Sequence, residues 1–208
     1  MGALPPARTG PPPGYFGMKD GQSPPLRAQG WSSSMFKYPC YCRKTRSGAE
    51  EGMNFTSYMP DALREARAAA ARDEVPVGAV LIGADGRVLA RAGNRTRELS
   101  DPTAHAEILV IRAACATLGS ERLPGARLWV TLEPCPMCAA AISAARIETL
   151  YYGADDPRMG GVRHGARVFD HPQCHHRPGI VDGISAEESR RLLQDFFRER
   201  RDGCNYTK

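Results

Sequence analysis

The chain has 208 residues, of which 42% are apolar and 25% charged, with 28 Lys and Arg against 23 Asp and Glu for a formal charge of +5. That composition excludes collagen-like, coiled-coil and wholly disordered proteins, and fits one soluble domain with a full core, alone or with a tail. The mild basic excess permits a nucleic-acid partner without demonstrating one. The longest strongly apolar run lies near residues 75–82, far short of the ~18 residues of a membrane helix, so no membrane partner is expected. Residues 1–14 lack the apolar centre of a secretory signal. The chain has seven cysteines, an odd number, which argues for a reducing, cytoplasmic setting with metal-binding or catalytic thiols rather than a closed disulfide framework.

Residues 1–52 differ from the rest. They hold 8 of the 17 prolines and 8 of the 21 glycines and show no helical or strand period. A segment of this kind is expected to be disordered, since it buries too little apolar surface to offset its backbone entropy. It carries seven basic residues against three acidic, which leaves residues 53–208 with 21 basic and 20 acidic. Three readings compete for it. It is translated sequence upstream of a start at Met53 or Met59, a targeting peptide for an organelle, or an arm that helps hold a polyanion; the first is favoured. Cys40 and Cys42 form a C-x-C pair that reads as linker cysteines ahead of a metal site.

Beyond residue 52 the elements follow in order. Residues 60–73 read as a helix, with Pro60 in the first turn and Asp61 near its positive end. An apolar strand over 77–83, a turn at Ala84-Asp85-Gly86-Arg87 and a strand over 88–92 form a hairpin. A polar loop over 93–103 leads to a helix over 104–118, stopped by Gly119. A strand over 127–132 precedes a helix whose start is bracketed by Pro134 and Pro136 and which runs to about 146. A strand over 147–152, a long loop over 153–178 and a short strand over 179–184 follow. Ser185-Ala186-Glu187-Glu188 reads as a capping box that opens a last helix to about 201. Helices alternating with strands after a hairpin define an α/β layered domain with a mixed sheet.

Chemistry concentrates in His105-Ala106-Glu107 and Pro134-Cys135-Pro136-Met137-Cys138. Cys135 and Cys138 are three apart, so one helical turn presents both sulfurs on one side. Pro136 suits the first helical position, which puts Cys135 at the cap, where the helix end favours thiolates. His105 also lies where its helix begins. One imidazole and two thiolates leave one zinc position open, the catalytic rather than the structural arrangement. Glu107 is placed to take a proton from water and return it to a leaving group. Positions i and i+2 diverge on a regular helix, so His105 is expected at its irregular start. A C-x-x-C alone also reads as structural zinc or a redox pair. The ordered H-x-E…P-C-x-x-C set is more specific, and is the signature of zinc nucleobase deaminases.

The zinc motif alone admits cytidine, cytosine and guanine deaminases. With its flanking segments the chain resembles the bacterial tRNA-specific adenosine deaminases from about residue 59 to 202. Those segments are Glu74-Val75-Pro76-Val77-Gly78-Ala79-Val80, Asn94-Arg95, Asp101-Pro102-Thr103-Ala104-His105-Ala106-Glu107, Thr131-Leu132-Glu133-Pro134-Cys135-Pro136-Met137-Cys138 and Asp195-Phe196-Phe197-Arg198. The resemblance implies a three-layer α/β/α cytidine-deaminase-like fold around a mixed five-stranded sheet. It also implies a homodimer that binds a tRNA anticodon stem-loop and converts the wobble adenosine to inosine, with zinc and no organic cofactor.

By matching position, the resemblance implies that Asn94 hydrogen-bonds the flipped adenine or its ribose. Val75 and Leu132 would wall the base, and Asp156 would contact a neighbouring nucleotide. Phe197 and Arg200 would meet the anticodon by stacking and charge. One of the adjacent Phe196 and Phe197 is expected in the core, the other exposed. The chain departs from the family at Gly93, where a tryptophan is usual before the Asn, and at Arg158, where Lys is usual. The stretch His171-Pro172-Gln173-Cys174-His175-His176 reads as loop residues near RNA ahead of a second metal site. Two rival functions remain at this point: a deaminase of free bases or nucleosides, and a non-catalytic RNA-binding protein with structural zinc.

Overall fold

The computed structural model describes residues 56–204, with side chains to 201. Residues 1–52, the Cys40–Cys42 pair and a start at Met53 lie outside the described residues.

The described residues form four helices and five strands: α1 (Met59–Ala71), β1 (Gly78–Ile82), β2 (Val88–Gly93), α2 (Ala106–Leu118), β3 (Arg127–Leu132), α3 (Pro136–Ala144), β4 (Thr149–Ala154), β5 (Gly179–Val181) and α4 (Ala186–Cys204), with a short 3-10 turn at Val168–Asp170. The sheet order is β2-β1-β3-β4-β5. β1 is antiparallel to β2 and β3, whereas β3, β4 and β5 run parallel. Helices α1 and α4 cover one face and α2 and α3 the other. This is the three-layer mixed sheet expected of the sequence.

Strand alternation divides the core between the faces. Ala79, Leu81, Leu128, Val130, Leu150 and Tyr152 point toward α2 and α3. Val80, Ile82 and Trp129 point the other way, against Met59, Ala62 and Leu63 of α1. Trp129 stacks on Tyr151 with ring centroids 4.0 Å apart. Gly78 and Gly93 are partners in the β1–β2 register. A Cβ on either would run into the α1 backbone, at Ala62 and Ala66 or at Glu65. The glycine pair is thus a notch that seats α1 directly on the sheet. At Gly93 this accounts for the small residue where the sequence resemblance led one to expect tryptophan.

Several boundaries differ from the sequence reading. α3 ends at Ala144, because Ala145 closes the helix and Arg146 turns left-handed at φ +59°. β4 therefore starts at Thr149 rather than 147 and continues to Ala154. β5 stops at Val181, where Gly183 at φ +79° turns the chain away. The capping box does not form. Ser185 sits at φ +54° instead of the extended conformation such a cap requires, and the Glu188 carboxylate reaches across to Arg67 of α1.

Candidate metal and active site

The site lies where β3 and β4 end, on the side to which α2 and α3 present their N-termini, as parallel sheets place their ligands. His105 is the N-cap of α2, with extended backbone at φ −72° and ψ 151°. Cys135 is the N-cap of α3, with Pro136 in its first turn. Both junctions were expected, including the irregular start that lets His105 and Glu107 face one place. Asn94 closes the arrangement. It lies just beyond β2, and its Oδ1 accepts from the Ala106 N–H at 2.9 Å, capping α2 in place of His105.

His105 Nδ1 lies 3.7 Å from Cys135 Sγ and 3.5 Å from Cys138 Sγ. The three donor atoms fall within 4.8 Å of one another. One imidazole nitrogen and two sulfurs converging from two helix N-termini suit a zinc ion. The thiols do not both ionise by themselves, contrary to the simple helix-end argument. Cys135 falls to about 4, first because Cys138 donates to its sulfur, with burial opposing. Cys138 is pushed far up by that same hydrogen bond, by burial and by the charge of Glu107. Two thiolates side by side require a cation between them, which fits this donor set.

Glu107 occupies the first turn of α2 and is 3% exposed. Its Oε2 is buried with no hydrogen-bond partner among the described residues. Burial pushes its carboxyl up, against the pull of its own backbone N–H and of His105. An orphaned carboxylate oxygen beside a metal donor set is what a proton shuttle needs and what a structural role leaves unexplained.

Glu107, His105 and Cys135 line a cavity of about 470 Å³, together with Val75, Asn94, Leu132, Asp156 and Met159. Four of the six residues expected to hold the substrate are therefore brought together with the metal donors. Asp156 spends its Oδ1 on the Arg158 and Met159 N–H groups, 3.0 Å each, shaping its own loop.

Phe197 and Arg200 lie elsewhere, in a groove of about 660 Å³ with Arg158, Arg190 and Arg201. Phe197 is 45% exposed. Arg200 is engaged: it pairs with Asp73 and lies 4.0 Å over the Phe196 ring. Phe196 is thus half-buried beneath an arginine and outside both core clusters. A third cavity, about 500 Å³, on the outer side of α3 contains none of the metal donors.

The stretch 171–176 forms no metal cluster. Cys174 Sγ donates to His176 O at 3.1 Å, Ser143 Oγ donates to the same carbonyl at 2.8 Å, and the His176 ring meets Ile147 O at 2.5 Å. These bonds pin the loop to the end of α3.

Sequence reasoning missed two buried glutamates. Glu74, with no solvent exposure, accepts from Thr96 Oγ1 and from the Arg97 and Glu98 N–H groups, holding the loop that follows Asn94. Glu133, 2% exposed, does the same for the loop that carries Asp156. In both, burial raises the carboxyl but the N–H donors outweigh it and hold it below the ordinary value. Each precedes a proline by one or two residues, but nothing in the sequence around it names the backbone donors it meets. Glu133, Asp155 and His164 also cluster closely enough for a cation. Glu133 is already surrounded by N–H donors, so the cluster acts as a loop clamp.

A catalytic-type metal site at two helix N-termini on a mixed five-stranded sheet defines a zinc-deaminase domain, and residues 54–154 match the cytidine and deoxycytidylate deaminase zinc-binding region. The chain is 64% identical over 146 residues to a tRNA-specific adenosine deaminase of Agrobacterium fabrum, covering 70% of this chain and 95% of that one. A solved structure from work on A-to-I editing by tRNA:A34 deaminases at the wobble position of transfer RNA superposes with a TM-score of 0.64 and 64% identity, over 65% of this chain and 98% of that one. A guanine deaminase from Nitrosomonas europaea shares the fold, with a TM-score of 0.58 and 23% identity over 66% and 81% of the two chains. The chain belongs to the tRNA-specific adenosine deaminases.

Proposed function

We propose that residues 53–208 form a zinc-dependent deaminase that hydrolyses adenosine to inosine at the wobble position of a tRNA anticodon, in the cytoplasm and with no organic cofactor. The observation that carries the reaction type is the unpartnered Oε2 of buried Glu107 beside the His105, Cys135 and Cys138 donors. The substrate rests on the 64% identity to the Agrobacterium fabrum enzyme.

His105 Nδ1 and the two sulfurs would hold the zinc, which would supply Lewis-acid activation of water. Glu107 would take a proton from the attacking water at its unpartnered oxygen and pass it to the departing amine. Val75 and Leu132 supply apolar walls for a flat base. Asn94 commits its Oδ1 to α2, so its Nδ2 hydrogens are the atoms left to orient the base or ribose. A base reaches this cavity only when turned out of its stack, which an anticodon loop permits at lower cost than a duplex. The test is to incubate the protein with an A-starting anticodon stem-loop and with free nucleosides and bases, then measure inosine and ammonia. Inosine in the stem-loop is expected. Turnover of guanine or cytidine without RNA would replace this reading with a free-base deaminase, and RNA binding without ammonia with a non-catalytic one.

A homodimer is proposed with it. Ala140 and Ala144 leave apolar surface on the outer side of α3, a surface suited to a second copy. Light scattering at micromolar concentration should report twice the chain mass, and a monomer would remove this part.

A further inference from the structure

The loop from Asp155 to Gly165 has no helix or strand of its own, yet it supplies Asp156 and Met159 to the cavity wall. Buried Glu133 is its main anchor, beside an ion pair from Arg163 to Asp182. Glu133 Oε1 accepts from the N–H groups of Val162, Arg163 and His164 at 3.1, 2.8 and 2.9 Å. Its Oε2 accepts from Asp156 N at 3.0 Å and meets His164 Nδ1 at 2.7 Å. The loop lies directly on this carboxylate. A Cβ at Gly160 would come within 2.6 Å of the Glu133 Cδ, and one at Gly161 within 2.6 Å of Pro136 N. Gly161 N–H in turn donates to Pro134 O at 2.8 Å. Glu133 is two residues before Cys135, so the substrate-side wall is fastened to the segment that enters the metal-binding helix.

We propose that Glu133, with His164 as its outer partner, is a positioning residue for the RNA substrate: its carboxylate sets the distance between the Asp156–Met159 wall and the metal-binding end of α3. The inference rests on the deaminase reading above. It makes a specific division of labour. Glu107 and the three metal donors are positioned by the starts of α2 and α3, which the loop meets through backbone at Pro134 O and Pro136. The loop contributes contacts made alike in the bound substrate and in the transition state. Loosening it should therefore raise KM and leave kcat nearly alone. A merely structural role predicts the opposite, since a partly unfolded preparation loses kcat at unchanged KM.

Glu133→Gln keeps the volume but replaces one acceptor oxygen with an amide that faces N–H donors. Its KM for the anticodon stem-loop should rise about tenfold or more, with kcat within about threefold of the parent, given what one unsatisfied buried group costs. Zinc content should be unchanged. His164→Ala removes one of the five bonds from a side chain 37% exposed, and so decides the matter if Glu133→Gln does not fold. Its KM should rise about threefold at constant kcat. Equilibrium binding of the stem-loop, read by fluorescence anisotropy, should weaken by the same factors. An active parent whose His164→Ala variant keeps its KM and binding overturns the positioning role and leaves the deaminase reading intact. A parent that makes no inosine overturns the deaminase reading and this inference with it.

Discussion

Glu107 is expensive where it sits. A carboxylate with an unpartnered oxygen, almost wholly buried, works against stability unless it has a task. Replacing it tests that task without touching the donors. Glu107→Ala should keep stoichiometric zinc by elemental analysis and lose at least ~10²-fold in kcat. It should also unfold at a higher denaturant concentration than the parent, since a desolvated charge is gone. Near-parental turnover would remove Glu107 from the chemistry. Cys135→Ala should behave in the opposite way, losing zinc and stability together, because binding energy at such a site is also folding energy. Metal content equal to the parent's would remove Cys135 from the ligand set.

At the scale of elements, the cavity is framed by two loops, each fastened by a buried glutamate on the turn preceding a strand or helix. Glu74 makes no ion pair among the described residues and relies on N–H and hydroxyl donors. Those donors hold its carboxyl below the ordinary value of 4.5. A depressed carboxyl stabilises the fold fully above its unfolded value and loses that contribution as pH falls through its folded value. Glu74→Gln should therefore cost about 1–3 kcal/mol at pH 7, measured by urea unfolding. The gap between parent and variant should narrow as pH drops below about 4.5. A gap that stays constant down to pH 3.5 would show that ionisation of Glu74 is not the source. The layered fold and the His105, Cys135 and Cys138 placements were legible because local rules decide them: apolar alternation, a proline in the first helical turn, glycine stops. The two glutamate clamps were not. Most of their partners are backbone N–H groups of loops 23 to 31 residues away, and no side-chain pattern in the sequence names a backbone donor. The ends of α3, β4 and β5 escaped for a related reason, because they are set by left-handed residues at 146 and 183 whose turns only the packed sheet requires.

For the whole molecule, net charge says little about RNA. Residues 53–208 carry 21 basic and 20 acidic residues, so any attraction to phosphate must come from placement. The placement is at α4. Arg158, Arg190 and Arg201 join the exposed ring of Phe197 in one groove, and Arg158 lies two residues from Asp156 in the catalytic cavity wall. Arg158 and Arg201 make no ion pair among the described residues, and Arg190 is shared with Glu187. Arg200, the cation singled out by the sequence resemblance, is committed to Asp73 and to the face of Phe196. The two kinds of arginine should separate in a salt titration. A cation that neutralises a phosphate contributes about −0.7 to the slope of log affinity against log salt on a single strand. Arg201→Ala should thus make the salt dependence of kcat/KM for the stem-loop shallower by close to that amount, without changing the melting temperature. Arg200→Ala should leave the slope nearly as it is and cost up to ~1 kcal/mol of stability, the range of an exposed ion pair with a cation–π contact. If instead Arg200→Ala flattens the slope and Arg201→Ala does not, the Asp73 pairing gives way when RNA binds. α4 then presents a different face to its substrate than it does in the free protein.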